Sequence, residues 1–369
     1  MEIENFLKAM VDHNASDLFF SAGASVGIKI EGKTRQLGEK HLEAHETRQL
    51  AYSILSDKQV AEFERELELN LAIALKTLGR FRVNVYRQRG SVSMVIRYIK
   101  ADIPSIEELR LPPILKNLIM EPRGLVLVVG ATGSGKSTTL ASMIDYRNQH
   151  ATGHILTIEE PIEFLHRHKK SIVDQRELGL DTLNYSNALK NAMREAPDVI
   201  LIGEIRDAET MKHAIAYADT GHLCLSTLHS NNASQTMDRI INFFPESAHH
   251  QLFVDLSEHL KAIVSQRLIP SVDGKRVPAV EVLVRTPYIA DLIAKRDLDG
   301  LRDAMKDGAQ AGMQTFDQAL LTLYEEGMIS EEQALAHADS RNDLSLGIRM
   351  TRSHGTQDAP EGLDLQQWE

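Results

Sequence analysis

The chain of 369 residues holds one cysteine, Cys224. A lone thiol closes no disulfide within the chain and fills no four-cysteine zinc site, so the composition is that of a reducing, cytosolic protein. Long apolar runs are missing too. No stretch of about twenty such residues occurs, and no segment reads as a bilayer-spanning helix. The opening MEIENFLKAMVDHNASD sets acids among its apolar residues without a basic n-region, which is not the pattern of a secretory signal. Positive charge is the third shortage: lysine and arginine number 41 against 52 aspartates and glutamates, a formal net charge of −11. Sequence-independent nucleic-acid binding runs on phosphate neutralisation, so no nucleic-acid partner is expected, although this charge leaves room for a local basic patch.

What is present suffices for ordinary packed cores, with 43% hydrophobic and 25% charged residues, in a length that usually divides into two domains. Residues 1–98 read as a small α+β domain. It opens on an amphipathic helix carrying Ile3, Phe6, Leu7, Met10 and Val11, followed by strands at SDLFF and VGIKI. A helical stretch at about residues 45–66 precedes the runs LNLAIAL, GRFRVNVYRQR and SVSMVIRYI, which alternate as antiparallel strands do. Residues 99–123 carry Pro104, Pro112 and Pro113 around two short helical stretches and read as a linker. From residue 124 to 345 the pattern becomes α/β. GLVLVV, HILTIE, DVILIG and HLCLST are short, near-continuous apolar runs, as expected of strands buried on both faces of a mostly parallel sheet, and successive helices follow. Residues 346–369 read as an acidic, disordered tail.

The segment GLVLVVGATGSGKSTTLASMI is a strand, a glycine-rich turn and a helix start, and it fits G-x-x-x-x-G-K-[ST]. Backbone N–H groups must converge on phosphate oxygens there, and glycine permits both the close approach and the unusual dihedrals. The helix start adds free N–H groups and a favourable dipole. The candidate positions for the phosphates of ATP are Gly130, Thr132, Gly133, Ser134, Gly135, Lys136, Ser137 and Thr138. Lys136 is placed to reach the outer phosphates and Ser137 to offer its hydroxyl to Mg²⁺.

Three further segments carry candidate chemistry. DVILIGEIRD ends an apolar strand in Glu204, where a carboxylate beside the phosphate loop holds Mg²⁺ directly or through its water shell. HILTIEEPIEF sets Glu159, Glu160 and Glu163 at another strand end, as a general base or as a plain acidic turn. TGHLCLSTLHS carries His222 and His229; at the strand's end His229 is placed to contact phosphate or to link site carboxylates. Cys224, inside that strand, reads as a small buried residue. In the first domain Arg80, Arg82, Arg87, Arg89 and Arg97 fall on adjacent strands, and they make either an anion-binding face or a solvated one.

Together GATGSGKSTT, LTIEEPIEF, APDVILIGEIRD and TGHLCLSTLHS resemble the motif set of the type IV pilus retraction ATPases, the PilT/PilU group of the secretion ATPase superfamily. The resemblance covers nearly all of residues 1–345. It implies a PAS-like N-terminal domain, a RecA-like α/β ATPase domain and a homo-hexameric ring. It also implies Glu163 as general base, Glu204 as Walker B acid, and Arg82 and Arg97 reaching a neighbour's nucleotide. The implied partners are an inner-membrane pilus platform protein and a principal retraction ATPase, with the chain cytoplasmic and peripherally associated with that membrane. Principal members carry an Ala-Ile-Arg helix motif; the matching stretch here is TPYIADLIAK, with Ala290 in place of the arginine. That departure and the tail point to the accessory branch. Two alternatives share this core: a DNA-translocating ATPase and a non-hydrolysing assembly partner.

Overall fold

The computed structural model describes residues 3–30, 32–99 and 102–355. The chain divides into two compact units, one of residues up to 103 with 160–167 and 175–187, the other of 104–159, 168–174 and the residues from 188 onward.

The first unit runs α1 (Ile3–Asp12), β1 (Asp17–Phe20), β2 (Ser25–Ile30), β3 (Lys33–His41), α2 (Ala44–Tyr52), α3 (Asp57–Glu66), β4 (Glu68–Leu75), β5 (Gly79–Gln88) and β6 (Ser91–Ile99). The helical stretch expected at residues 45–66 is thus two helices. Ser56 caps the second, its hydroxyl accepting from Gln59 N in a reciprocal capping box. The strands form one antiparallel sheet in the order β3-β2-β1-β6-β5-β4. Alternation sorts its residues: Phe81, Val83 and Val85 point into a core with Leu7, Met10, Leu18, Phe20 and Phe63. Arg82 sits on the opposite face, paired in register with Arg97, which pairs in turn with Asp17. Arg87 has the parity of the core face, so the five arginines do not share one surface. Its guanidinium lies over the Phe63 ring, 5.5 Å from the centroid, and pairs with Glu64.

The second unit begins with residues 104–123, most of the stretch 99–123 expected as a linker. Only α4 (Ile114–Met120) of the two anticipated helices forms, and Ile106, Leu111, Leu115, Leu118 and Ile119 are buried in the same core as the central strands. There follow β7 (Gly124–Val129), α5 (Lys136–His150), β8 (Gly153–Glu159), β9 (Ser171–Glu177), α6 (Tyr185–Ala192), β10 (Val199–Ile202), α7 (Ala208–Asp219), β11 (Leu223–Leu228), α8 (Ala233–Asn242), α9 (His249–His259), β12 (Leu260–Pro270) and β13 (Arg276–Val284). β9 and α6 straddle the division between units. The seven-stranded sheet has the order β13-β12-β7-β11-β10-β8-β9. β12, β7, β11, β10 and β8 are parallel neighbours and β13 is antiparallel, so β7, β10 and β11 deliver their C-terminal ends to one edge. Every residue of β7 and β11 is buried, which is why both read as continuous apolar runs.

Among the described residues five α-helices follow β13: α10 (Pro287–Lys295), α11 (Gly300–Asp307), α12 (Phe316–Glu325), α13 (Glu331–His337) and α14 (Arg341–Gly355). α14 corrects the expectation of a disordered tail from residue 346. Leu344 and Ile348, one turn apart, are buried with Phe316, Leu320 and Leu323, and that contact holds the helix through Gly355. The rest of the expected tail, residues 356–369, lies outside the described residues.

Candidate functional site

The phosphate loop leaves β7 and enters α5 through three glycines with positive φ: Gly130 (151°), Gly133 (79°) and Gly135 (94°). They serve two purposes. A Cβ on Gly130 would fall 2.4 Å from Ser134 Oγ and 2.5 Å from Gln266 O, and one on Gly135 would fall 2.7 Å from Gln266 Nε2, so these two let the loop pack against β12. Nothing lies within 4 Å of the corresponding point at Gly133, which supplies the left-handed turn alone. Gln266 is itself fixed, accepting from Thr139 Oγ1 at 2.6 Å.

Lys136, the first residue of α5, is 9% exposed. Its Nζ donates to Gly130 O at 2.8 Å and Ala131 O at 3.1 Å. Burial lowers its pKa, and the negative charge of Glu204 opposes that shift. Ser134 Oγ is buried with no hydrogen-bond partner. An orphaned hydroxyl in a loop whose glycines keep its interior clear of side chains fits a phosphate group. Thr132, Gly133 and Ser137 are exposed at the same corner, and Thr138 is half-buried.

Glu204 lies two residues beyond β10. Thr227 Oγ1 donates to Gly203 O at 2.6 Å and Ile205 N to Thr227 O at 2.9 Å, which pins this end of the strand to β11. The Glu204 carboxylate accepts from Arg206 Nε at 2.9 Å and lies 3.2 Å from His229 Nε2. Burial, then the Lys136 charge, pushes the His229 pKa down against the pull of Glu204. The lowered value favours the neutral imidazole at pH 7, so its 3.2 Å approach to Glu204 is not a pairing of two full charges. A cavity of about 630 Å³ adjoins this corner, lined among others by Ala131, His229, Asn231, Gln235 and Arg239. His222 precedes β11 where His229 follows it, and its Nδ1 lies 3.2 Å from Tyr217 O, so it is no part of the site. Cys224 is fully buried and its thiol pKa is pushed up by that burial.

Lys136, Ser137, Glu204 and His229 thus meet in the second unit, whereas Glu163, Arg82 and Arg97 belong to the first. Glu163 is exposed. Its segment is anchored by Ile162, whose backbone N–H bonds the carboxylate of Glu177. Glu177 is 3% exposed; burial raises its pKa, and the charges of Arg82 and Arg80 pull it back. Arg97 Nε donates to Asp17 Oδ1 at 2.8 Å. Among the described residues no group of three or more His, Cys, Asp or Glu converges as a metal site.

The family model described as type II/IV secretion system protein matches residues 2–361. The chain belongs to this family. It is 52% identical to the type IV pilus ATPase PilU of Pseudomonas aeruginosa, over 95% of this chain and 92% of that relative. It is 43% identical to the type IV pilus retraction ATPase PilT of the same organism, over 90% of this chain and 97% of that one. The crystal structure of the pilus retraction motor PilT with bound ADP superposes with a TM-score of 0.88 at 41% identity, covering 94% of this chain and 99% of that one. These matches place the secretion ATPase chain in the PilT/PilU group, with a RecA-like ATPase fold behind a smaller N-terminal domain, and make it an ATP hydrolase.

Proposed function

We propose that this chain is an accessory motor of type IV pilus retraction, acting as a homo-hexameric ring on the cytoplasmic side of the inner membrane. The observation that carries the reading is the 52% identity to PilU over nearly the whole chain. Ala290, half-buried on α10, supports the accessory role, because alanine replaces neither the charge nor the hydrogen-bonding fork of the arginine in the principal motors. The partners that follow are a pilus platform protein and a principal retraction ATPase.

In hydrolysis the phosphate loop holds the nucleotide through its backbone N–H groups and Lys136. Ser137 and Glu204 would hold Mg²⁺, which would supply charge neutralisation beside the substrate phosphates. His229 orients Glu204. Glu163 accepts the proton of the attacking water. Arg82 and Arg97 act on the next subunit's nucleotide, and closure between the two units drives the ring. The chain passes from one unit to the other after residue 103 and again after 159, 167, 174 and 187, and residues 104–123 of the expected linker belong to the second unit.

The test is force-dependent pilus retraction in cells carrying this chain as the sole retraction ATPase, and again beside a principal motor. Retraction under load that needs both proteins is expected. Robust unaided retraction overturns the accessory role, and a deletion without any pilus defect overturns the pilus role altogether.

A further inference from the structure

Glu281 lies midway along β13 and is 3% exposed. Its register partner on β12 is Ser265, whose hydroxyl donates to Glu281 Oε1 at 2.9 Å. The same oxygen accepts the backbone N–H of Ala233 at 2.8 Å. Ala233 is the first residue of α8, the helix reached directly from the His229 loop. First-turn N–H groups have no partner inside a helix, and the Asn232 side chain caps one of them by accepting from Gln235 N at 2.9 Å. Glu281 caps a second one from another element, with a carboxylate at the positive end of the helix dipole.

The neighbouring residues of β12 extend this brace. Side chains alternate along a strand, so Ser265 and Arg267 face one way and Gln266 the other. Gln266 meets the phosphate loop. Arg267 Nη2 donates to Asn231 O at 3.4 Å, and its Nη1 is held by His337 O at 3.0 Å and Asp339 Oδ1 at 2.8 Å. Three consecutive residues of one strand thereby fix the phosphate loop on one face and the loop carrying His229 on the other.

We propose that Glu281 is a positioning residue for His229: by fixing the first turn of α8 it sets where the loop from β11 delivers the imidazole to Glu204. The inference rests on the reading of Glu204 and His229 as parts of the hydrolysis site. It gives Glu281, which touches neither nucleotide-binding residues nor Glu204 in any contact described above, a defined effect on turnover.

The experiment compares Glu281→Ala, Glu281→Gln, His229→Ala and the Glu281→Ala/His229→Ala double variant in the full-length protein, by phosphate release and by affinity for a fluorescent ATP analogue. Glu281→Ala is expected to lower kcat about tenfold to a hundredfold, the scale of a misplaced catalytic group. Nucleotide Kd should stay within about twofold, since the phosphate loop is held separately through Gln266. Glu281→Gln keeps an acceptor oxygen at the same place and restores turnover. The double variant should be no slower than His229→Ala alone, because the two changes remove one function. A slow His229→Ala made additively slower by Glu281→Ala overturns the inference and leaves the site reading standing. A fully active His229→Ala overturns the site reading and the inference with it. If Glu281→Ala does not fold, Glu281→Asp, which draws the carboxylate back by one methylene, carries the same comparison.

Discussion

Lys136 and Arg97 are both cations proposed to meet phosphate charge, yet their partners within the chain differ in kind. Lys136 Nζ rests on two carbonyl oxygens of its own loop, at 2.8 and 3.1 Å. Arg97 is held at 2.8 Å by Asp17, a residue 4% exposed, and Arg82 shares a field with buried Glu177. Carbonyl dipoles stabilise a buried ammonium without neutralising it, so an arriving phosphate meets a charge opposed chiefly by the more distant field of Glu204. A carboxylate partner already neutralises most of an arginine's charge, and the arginine must leave that carboxylate to serve another site. Lys136, Glu204 and His229 lie within one unit; Arg97 holds its own sheet together, and the role proposed for it on a neighbouring subunit competes with that pairing.

The largest effects test that division. Arg82→Ala is expected to lower ATP turnover by on the order of 10³-fold, the scale of an arginine that stabilises transferring phosphoryl charge in trans. Lys136→Ala should lower it by about 10²-fold or more while the circular dichroism spectrum stays unchanged, since no core residue depends on the lysine. Mixed in one ring, the two dead variants should recover part of the activity, because some interfaces then carry an intact lysine from one subunit and an intact arginine from the next. Confirmed assembly with no recovery at any mixing ratio would confine Arg82 to its own chain.

The acids come next. Glu204→Ala should stop turnover with ATP still bound, and Glu163→Gln should cost about 10²-fold or more because an amide accepts no proton from water. A Glu163→Gln enzyme that tracks the wild type across a pH series removes that residue from the base role.

How much of this was legible in the sequence follows from where each partner lies. The phosphate loop is contiguous, and β7, β8, β10 and β11 are apolar throughout or nearly so, so a window of ten residues contains the whole signal. β12 was missed because Ser265, Gln266 and Arg267 interrupt LKAIVSQRLIP, and β3 because KTRQLGEKH is polar along its exposed length. Those three polar residues of β12 are the brace, and their partners stand far off in sequence: Thr139 is 127 residues from Gln266, and Ala233 is 48 from Glu281. A polar triplet in the middle of an apolar run was the only available hint. Arg87 is a different case. Its odd spacing from Arg80 and Arg82 already assigned it to the other face of β5, so the parity was present in GRFRVNVYRQR and only the burial was needed to use it.

Glu281 sharpens the comparison as a buried charge of opposite sign, also met by backbone groups. Burial pushes its pKa from 4.5 up to about 7, outweighing the N–H and hydroxyl donors that favour the ionised form. The raised value means that the folded state binds a proton the unfolded state has released between those two pH values. The stability this group contributes is therefore present in full below pH 4.5, falls as pH rises, and is gone above about 7. Glu281→Gln has no such titration. Its advantage over the wild type in urea unfolding should grow from pH 4.5 to 7 and level off near about 3 kcal/mol. A constant difference between the two proteins across that range would mean that Glu281 does not titrate there.

The smallest effect separates the two cations most cleanly, because it reads stability and ignores turnover. Asp17 keeps Ser16 Oγ as a donor at 2.8 Å, but Arg97→Ala leaves its nearly buried carboxylate without a counter-charge. An orphaned charged acceptor costs about 1–3 kcal/mol, and the half-exposed arginine puts this case at the low end. Lys136→Ala removes a donor from two carbonyls, but it also removes the cost of burying an ammonium, and the two changes offset one another. Urea unfolding should therefore find Arg97→Ala less stable than Lys136→Ala by about 1 kcal/mol. Adding Asp17→Asn to Arg97→Ala should recover most of that loss, since a neutral amide in the same place needs no cation. If instead the two single variants unfold together, Asp17 has little hold on Arg97, and the arginine is as ready to serve a neighbouring subunit as the lysine is to meet phosphate.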